Sequence, residues 1–348
     1  MTPLSYFVPA DVDAAVVEIA ARGGPDGQPG ISKLIAGGTN LVDLMKAQIV
    51  RPAGLVDLNG LGLDAITRTP QGGLLLGALA RNADTAYHPL VRTHYPLLTA
   101  AILAGASPQI RNMASNGGNL LQRTRCHYFY DVGVPCNKRD PGSGCSAVGG
   151  LTRQHAILGA SEHCIATHPS DMCVALAALG AQVHIQSLQG ARQIAFADLH
   201  RLPADRPEQD TYLSTDDLIT AIELPPADAF VPHSVYLKLR DRASYAFALV
   251  SVAAALEIDA GGVVRQARIA LGGVAHKPWR VPEAEALLLG QPAAAAQFTL
   301  AADALLAGAR GQGANDFKIP LAHRAVVRAL TMAAAGTPGA TANEVRHD

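Results

Sequence analysis

All five cysteines of this 348-residue chain, Cys126, Cys136, Cys145, Cys164 and Cys173, lie in one stretch, and none occurs elsewhere. A disulfide framework belongs to small secreted chains and fits one of this length poorly. No pair is spaced CxxC, so neither a zinc ribbon nor a thioredoxin-like motif is expected. The spacing is C-x9-C-x8-C-x18-C, then x8 to Cys173. Around the first three, from Gln122 to Glu162, hydrophobic periodicity disappears and Arg, Lys, Gly and Pro mix with aromatic residues. So long an irregular stretch inside a compact domain is usually functional or disordered, and the cysteines favour function.

Thiolates on such a loop can converge tetrahedrally on an iron–sulfur cubane, which takes four. Cys126, Cys136, Cys145 and Cys164 supply them, and Arg123, Arg125, Lys138, Arg139 and Arg153 place positive charge near an anionic cluster. Four thiolates suit zinc equally well in principle. Cys173 differs, because Asp171-Met172-Cys173-Val174-Ala175-Leu176 reads as an apolar helix and its thiol as a buried one. The histidines form no HxxxH or HExxH pattern, so His127, His155, His163 and His168 read as surface or supporting residues rather than ligands.

Two glycine loops carry the second signal. Residues 11–22 have helical spacing and a Gly/Pro loop follows over 23–30. A short apolar run then stops at Gly37-Gly38-Thr39-Asn40, before a helix at 41–46 and a strand at 54–58. Paired glycines let the backbone approach a ligand closely, and a helix start offers N–H groups to a pyrophosphate. Such a turn taken alone is more often an ordinary connection. A second loop, Ser115-Asn116-Gly117-Gly118-Asn119-Leu120, makes a pair, as a ligand lying between two subdomains needs. The chain has no GxGxxG and no Gly-Lys dipeptide, so a Rossmann dinucleotide site and a P-loop have no support.

Strands are expected near 73–78 and 183–185, helices at 97–103 and 170–181, and a hairpin from 246–258 to 263–272. Helices finish the chain at 283–289, 299–306 and 321–334, and Pro-rich segments put a boundary near 230. The formal net charge of −1 argues against nucleic acid or an anionic membrane as main partner. No segment is long and apolar enough to span a bilayer, and the start lacks the pattern of a signal peptide. The expectation is a chain with no export address of its own, cytoplasmic or carried to the periplasm by a partner.

Ile35-Ala36-Gly37-Gly38-Thr39-Asn40-Leu41, Gln109-Ile110-Arg111-Asn112 with Gly117-Gly118-Asn119-Leu120, Pro169-Ser170-Asp171, and Tyr236-Leu237-Lys238 with Arg242 resemble the FAD-binding subunits of the xanthine dehydrogenase family of molybdenum hydroxylases. The resemblance runs along nearly the whole chain. Residues 120–130, Pro141-Gly142-Ser143-Gly144-Cys145 and Arg153-Gln154-His155-Ala156 are similar to the branch of bacterial periplasmic aldehyde oxidoreductases, whose FAD subunits carry a [4Fe–4S] cluster in an inserted loop. Cys173 stands where the resemblance leads one to expect a small apolar residue.

The resemblance implies an α+β fold of the PCMH type. Two FAD-binding subdomains, 1–60 and 61–229, the second with the cluster loop inserted at about 122–164, would precede a smaller α+β domain, 230–348, of carbon monoxide dehydrogenase flavoprotein type. It also implies that Ile35 to Leu41 hold the FAD pyrophosphate, that Ser107, Gly117, Gly118 and Asn119 line the other side, that Asp171 meets the adenosine ribose, and that Lys238 lies near the isoalloxazine. Cys126, Cys136, Cys145 and Cys164 would ligate the [4Fe–4S] cluster. Partner subunits of a heterotrimer would hold the molybdenum cofactor and [2Fe–2S] clusters, and electrons from aldehyde oxidation would leave through this FAD to an external acceptor. The alternatives are the flavoprotein subunit of a hydroxybenzoyl-CoA reductase-like enzyme and a non-catalytic FAD- or zinc-binding assembly factor.

Overall fold

A computed structural model describes residues 3–24 and 30–338 of the chain. The first layer is a parallel sheet of β1 (Ser5–Phe7), β2 (Ser32–Ile35) and β3 (Gly54–Asp57), in the order β1-β3-β2. Helix Val12–Arg22 starts where the Asp11 carboxylate accepts the Ala14 N–H at 2.8 Å. It buries Ala15, Val16 and Ile19 against Val56 and Leu58. Parallel neighbours need a crossover. Between β2 and β3 the crossover is the first glycine loop followed by helix Leu41–Lys46, as the sequence pattern predicts. Most of the loop expected at 23–30 lies outside the described residues.

The second layer is an antiparallel sheet of β4 (Ile66–Arg68), β5 (Leu74–Gly77), β6 (Gln182–Ser187), β7 (Gly190–Ala195) and β8 (Leu218–Leu224), in the order β4-β5-β8-β6-β7. The chain between β5 and β6 holds the second glycine loop, the cysteine stretch and helices Pro96–Ala104 and Asp171–Leu179. Every residue of Asp171–Leu179 is buried, because the third layer covers the side that the sheet does not.

That third layer is an antiparallel sheet of β9 (Ser234–Leu239), β10 (Val250–Ile258) and β11 (Val264–Gly272), in the order β11-β10-β9. Val250, Val252, Ala254 and Leu256 of β10 pack with helices Ala295–Leu305 and Lys318–Ala335. Ala253 and Ala255 face the other way, into the core shared with Asp171–Leu179. With both faces covered, β10 reads as an unbroken apolar run instead of an alternating one. The hairpin starts later than expected: residues 246–249 precede β10, and Phe247 is 45% exposed.

The cysteine stretch is irregular apart from a short helix, His127–Tyr130. It is nevertheless seated, because Phe129 and Cys136 pack on Leu44, Ile49 and Val50 beside the first glycine loop. Among the described residues no helix is long and apolar enough to cross a membrane.

Candidate functional site

A cleft of about 1820 Å³ is lined by both glycine loops. The loops touch: a Cβ placed on Gly37 would lie 1.8 Å from the Met113 carbonyl oxygen, so only glycine permits this approach. Gly38 has φ +70°, the left-handed region that side chains resist. Asn40 Oδ1 accepts the Arg123 N–H at 2.8 Å, which ties the first loop to the start of the cysteine stretch. Across the cleft the Ser115 hydroxyl accepts the Gly118 N–H at 3.2 Å, capping the short helix Asn116–Leu120. Buried Asn82 donates to Asn116 at 3.1 Å and accepts from Asn119 at 2.6 Å, a brace that the sequence did not single out.

The four cysteines of the irregular stretch are gathered beside this cleft. Cys136 and Cys145 face each other across an isolated antiparallel bridge, and Ser161 and Cys164 form another. Cys126 Sγ lies 3.1 Å from His155 Nε2. Burial pushes the Cys126 thiol up to about 12, and the neighbouring Cys136 and Cys164 add to the shift. Burial raises Cys164 as well, with Cys145 and Cys136 acting in the same direction and Lys138 against them. Cys126 thus lies within electrostatic reach of Cys136 and Cys164, and Cys164 within reach of Cys136 and Cys145. Cys173, fully buried, lies with His168 and His200 instead.

Residues 2–227 match the family model of the FAD binding domain in molybdopterin dehydrogenase, and residues 235–333 match that of the CO dehydrogenase flavoprotein C-terminal domain. The chain is a molybdenum hydroxylase FAD-binding subunit. It is 53% identical over 305 residues to the aldehyde oxidoreductase FAD-binding subunit PaoB of Escherichia coli (strain K12), covering 87% of this chain and 92% of that one. The glyceraldehyde dehydrogenase medium chain of Sulfolobus acidocaldarius is 27% identical, over 74% of this chain and 73% of that one. The carbon monoxide dehydrogenase from Hydrogenophaga pseudoflava that lacks the Mo-pyranopterin moiety superposes with a TM-score of 0.73 at 25% identity, covering 96% and 98% of the two chains. The α+β fold expected from the resemblance is therefore the one observed. The chain is an oxidoreductase subunit of aldehyde oxidoreductase type, which replaces the alternative of a non-catalytic assembly factor.

In this FAD-binding subunit the close approach at Gly37 and the cleft between the loops fit a bound dinucleotide. Ile35, Ala36, Gly37, Gly38, Thr39, Asn40, Leu41, Gly117, Gly118, Asn119, Asp171 and Lys238 all line the cleft. Ser107 does not: its hydroxyl accepts the Ile110 N–H at 3.3 Å and caps the turn Pro108–Arg111. Asp171 and Lys238, which the resemblance sends to opposite ends of the flavin, are bound to each other at 2.8 Å. The other Asp171 oxygen accepts the Tyr236 hydroxyl at 2.6 Å, and Lys238 Nζ also donates to the Ala104 carbonyl at 3.0 Å. The two side chains therefore stand together at one place on the cleft wall.

Sequence reasoning missed Asp210, which ties the cysteine stretch to the five-stranded layer. Its carboxylate binds Lys138 at 2.5 Å and pairs with Arg123, and His276 Nε2 lies 3.3 Å away. Burial alone would raise the Asp210 carboxyl, but the Arg123 and Lys138 charges outweigh it and hold the group far below the usual carboxylate range. Burial pushes His276 down to about 3, against the opposing pull of Asp210. A carboxyl depressed on folding stabilises fully above its unfolded value of about 4, and that stabilisation fades as pH falls towards the folded value. Asp210→Asn takes the carboxylate away from Lys138 and Arg123, so it is expected to cost about 3–5 kcal/mol and to flatten the acid limb of the stability profile. Urea denaturation at several pH values measures both.

Proposed function

We propose that this chain is the electron-transfer subunit of a molybdenum-containing aldehyde oxidoreductase, holding FAD in the cleft and one [4Fe–4S] cluster on Cys126, Cys136, Cys145 and Cys164. The gathering of these four thiols beside the flavin cleft carries the proposal. Lys138, 1% exposed and close to Cys164, offers positive charge to an anionic centre.

Bound FAD would accept electrons and release them to an external acceptor, while the protein supplies position and electrostatics. Glycine at 37 and 38 lets the backbone close on the cofactor, and the Asp171–Lys238 pair fixes the wall at one end. In this reading the molybdenum cofactor and [2Fe–2S] clusters belong to partner subunits of a heterotrimer, and the chain works in the cytoplasm or is co-exported to the periplasm with a partner. The chain by itself then oxidises no aldehyde. With benzaldehyde and a redox dye, the isolated, molybdenum-free chain is expected to give the blank rate. Dye reduction well above that rate would move the oxidation site into this subunit.

A further inference from the structure

Behind the second glycine loop, three side chains that the flavin and the four-cysteine set do not use meet in the core. Ligand-capable atoms of His168, Cys173 and His200 lie within 4.8 Å of one another, and the two imidazole rings are 4.4 Å apart between centroids. All three are buried: His168 is 7% exposed, His200 3% and Cys173 0%. His168 Nε2 and His200 Nδ1 are buried nitrogens with no hydrogen-bond partner. Buried nitrogens left in this state are uncommon in folded proteins and call for an explanation.

The tautomer of His200 supplies part of one. Its Nε2 lies 2.8 Å from the Leu120 carbonyl and must donate to it, which leaves Nδ1 as a bare lone pair. An imidazole oriented by a backbone carbonyl through its other nitrogen is how proteins present histidine to a metal. Nearby His276 is occupied, with Asp210 at one nitrogen and the Arg201 carbonyl 3.2 Å from the other. We infer that His168 Nε2, Cys173 Sγ and His200 Nδ1 form a second metal site, distinct from the four-cysteine set, for one thiophilic d10 cation, Cu(I) or Zn(II).

Thiolate and imidazole together suit these two ions. Bond lengths of 2.0–2.3 Å set the donor atoms roughly 3.3–3.8 Å apart, so a spread of up to 4.8 Å closes with about 1 Å of side-chain movement. On binding, the Cys173 proton leaves to solvent, one metal–sulfur and two metal–nitrogen bonds form, and no oxidation state changes. Thiolate with Cu(I) carries no net charge, whereas Zn(II) leaves one positive charge buried, so Cu(I) is expected to bind more tightly. Burial pushes the free Cys173 thiol up to about 12, and proton competition therefore makes affinity rise with pH. The bound ion would join helix Asp171–Leu179, which begins at Asp171, to the segment that holds Leu120 at the end of the second glycine loop.

The test compares the purified full-length protein with Cys173→Ala and His200→Gln, each equilibrated with Zn(II), or anaerobically with Cu(I), against a chelator. Alanine already occurs at 175, 177 and 178 of the same helix, so Cys173→Ala is expected to fold and to keep its flavin. Wild type should hold about one equivalent of metal more than either variant, bound at least about 100-fold more tightly. X-ray absorption of that equivalent should show one sulfur and two nitrogen neighbours. In the unmutated protein, saturating metal should slow alkylation of Cys173 at least about tenfold, a readout free of folding defects. Equal uptake by wild type and a folded Cys173→Ala, a metal shell without sulfur, or unchanged alkylation would overturn the site and leave a bridging water to satisfy the two nitrogens. Because the comparison is a difference at Cys173, it stands whether or not the other four cysteines hold a cluster.

Discussion

Gly37→Ala is expected to empty the flavin site. The added methyl would lie 1.8 Å from the Met113 carbonyl oxygen and 2.7 Å from its carbon, both rigid backbone, so the two loops have to part. Overpacking of this kind costs about 1–3 kcal/mol, which at 1.4 kcal/mol per tenfold is roughly 10- to 100-fold in flavin affinity. Gly38→Val acts by a different route. At φ +70° an L side chain costs about 1–2 kcal/mol, and its Cβ would come 3.2 Å from Val42 Cγ2. FAD released by denaturation, read by fluorescence per mole of chain, measures both effects. Glycine substitutions that keep full flavin content and affinity would show that the cleft between these loops is not the cofactor site.

Serine at Cys126, Cys136, Cys145 or Cys164 is expected to abolish most iron binding, whereas Cys173→Ser keeps the iron and its visible spectrum. The difference follows from surroundings. The four lie on or at the end of an irregular stretch of about forty residues, whose ordering costs conformational entropy. Phe129 and Cys136 are its main buried contacts with the first layer, alongside the polar ties to Asn40 and Asp210. Losing one ligand therefore loosens the whole stretch as well as removing metal. Limited proteolysis between 122 and 164 should speed up about tenfold or more in these variants and stay unchanged for Cys173→Ser. Iron lost on Cys173→Ser but kept on Cys164→Ser would reverse the assignment.

Much of this arrangement was legible in the sequence, for local reasons. The unit from β2 to β3 follows from an apolar run, paired glycines and an apolar-periodic helix, all set by neighbours in the chain. The antiparallel pair β10 and β11 is equally plain, although the apolar run Ala246 to Leu249 extends the expected strand beyond the observed start at Val250. What the sequence hid is long-range pairing. Asp210 looks like an ordinary acidic residue in a Pro-rich loop, yet it joins Arg123 and Lys138 from far upstream. Asp171 and Lys238 are separated by most of a sheet and helix pair in the chain, so nothing local shows that they bind each other. His168 and His200 carry no ligand spacing, and only folding brings them to Cys173. The resemblance places Ser107 at the cofactor, and its hydroxyl, which caps the turn that follows by accepting the Ile110 N–H, keeps its own proton to donate.

Cofactor analysis of the anaerobically purified complex decides whether this chain holds both FAD and a cluster. Flavin, iron and zinc would be quantified per mole of this chain, with electron paramagnetic resonance after reduction. About one FAD is expected and, beyond any iron that proposed [2Fe–2S] partners contribute, about four iron atoms whose resonance disappears in Cys136→Ser. Stoichiometric zinc bound through these four cysteines, with no iron beyond that of the partners, would contradict that expectation.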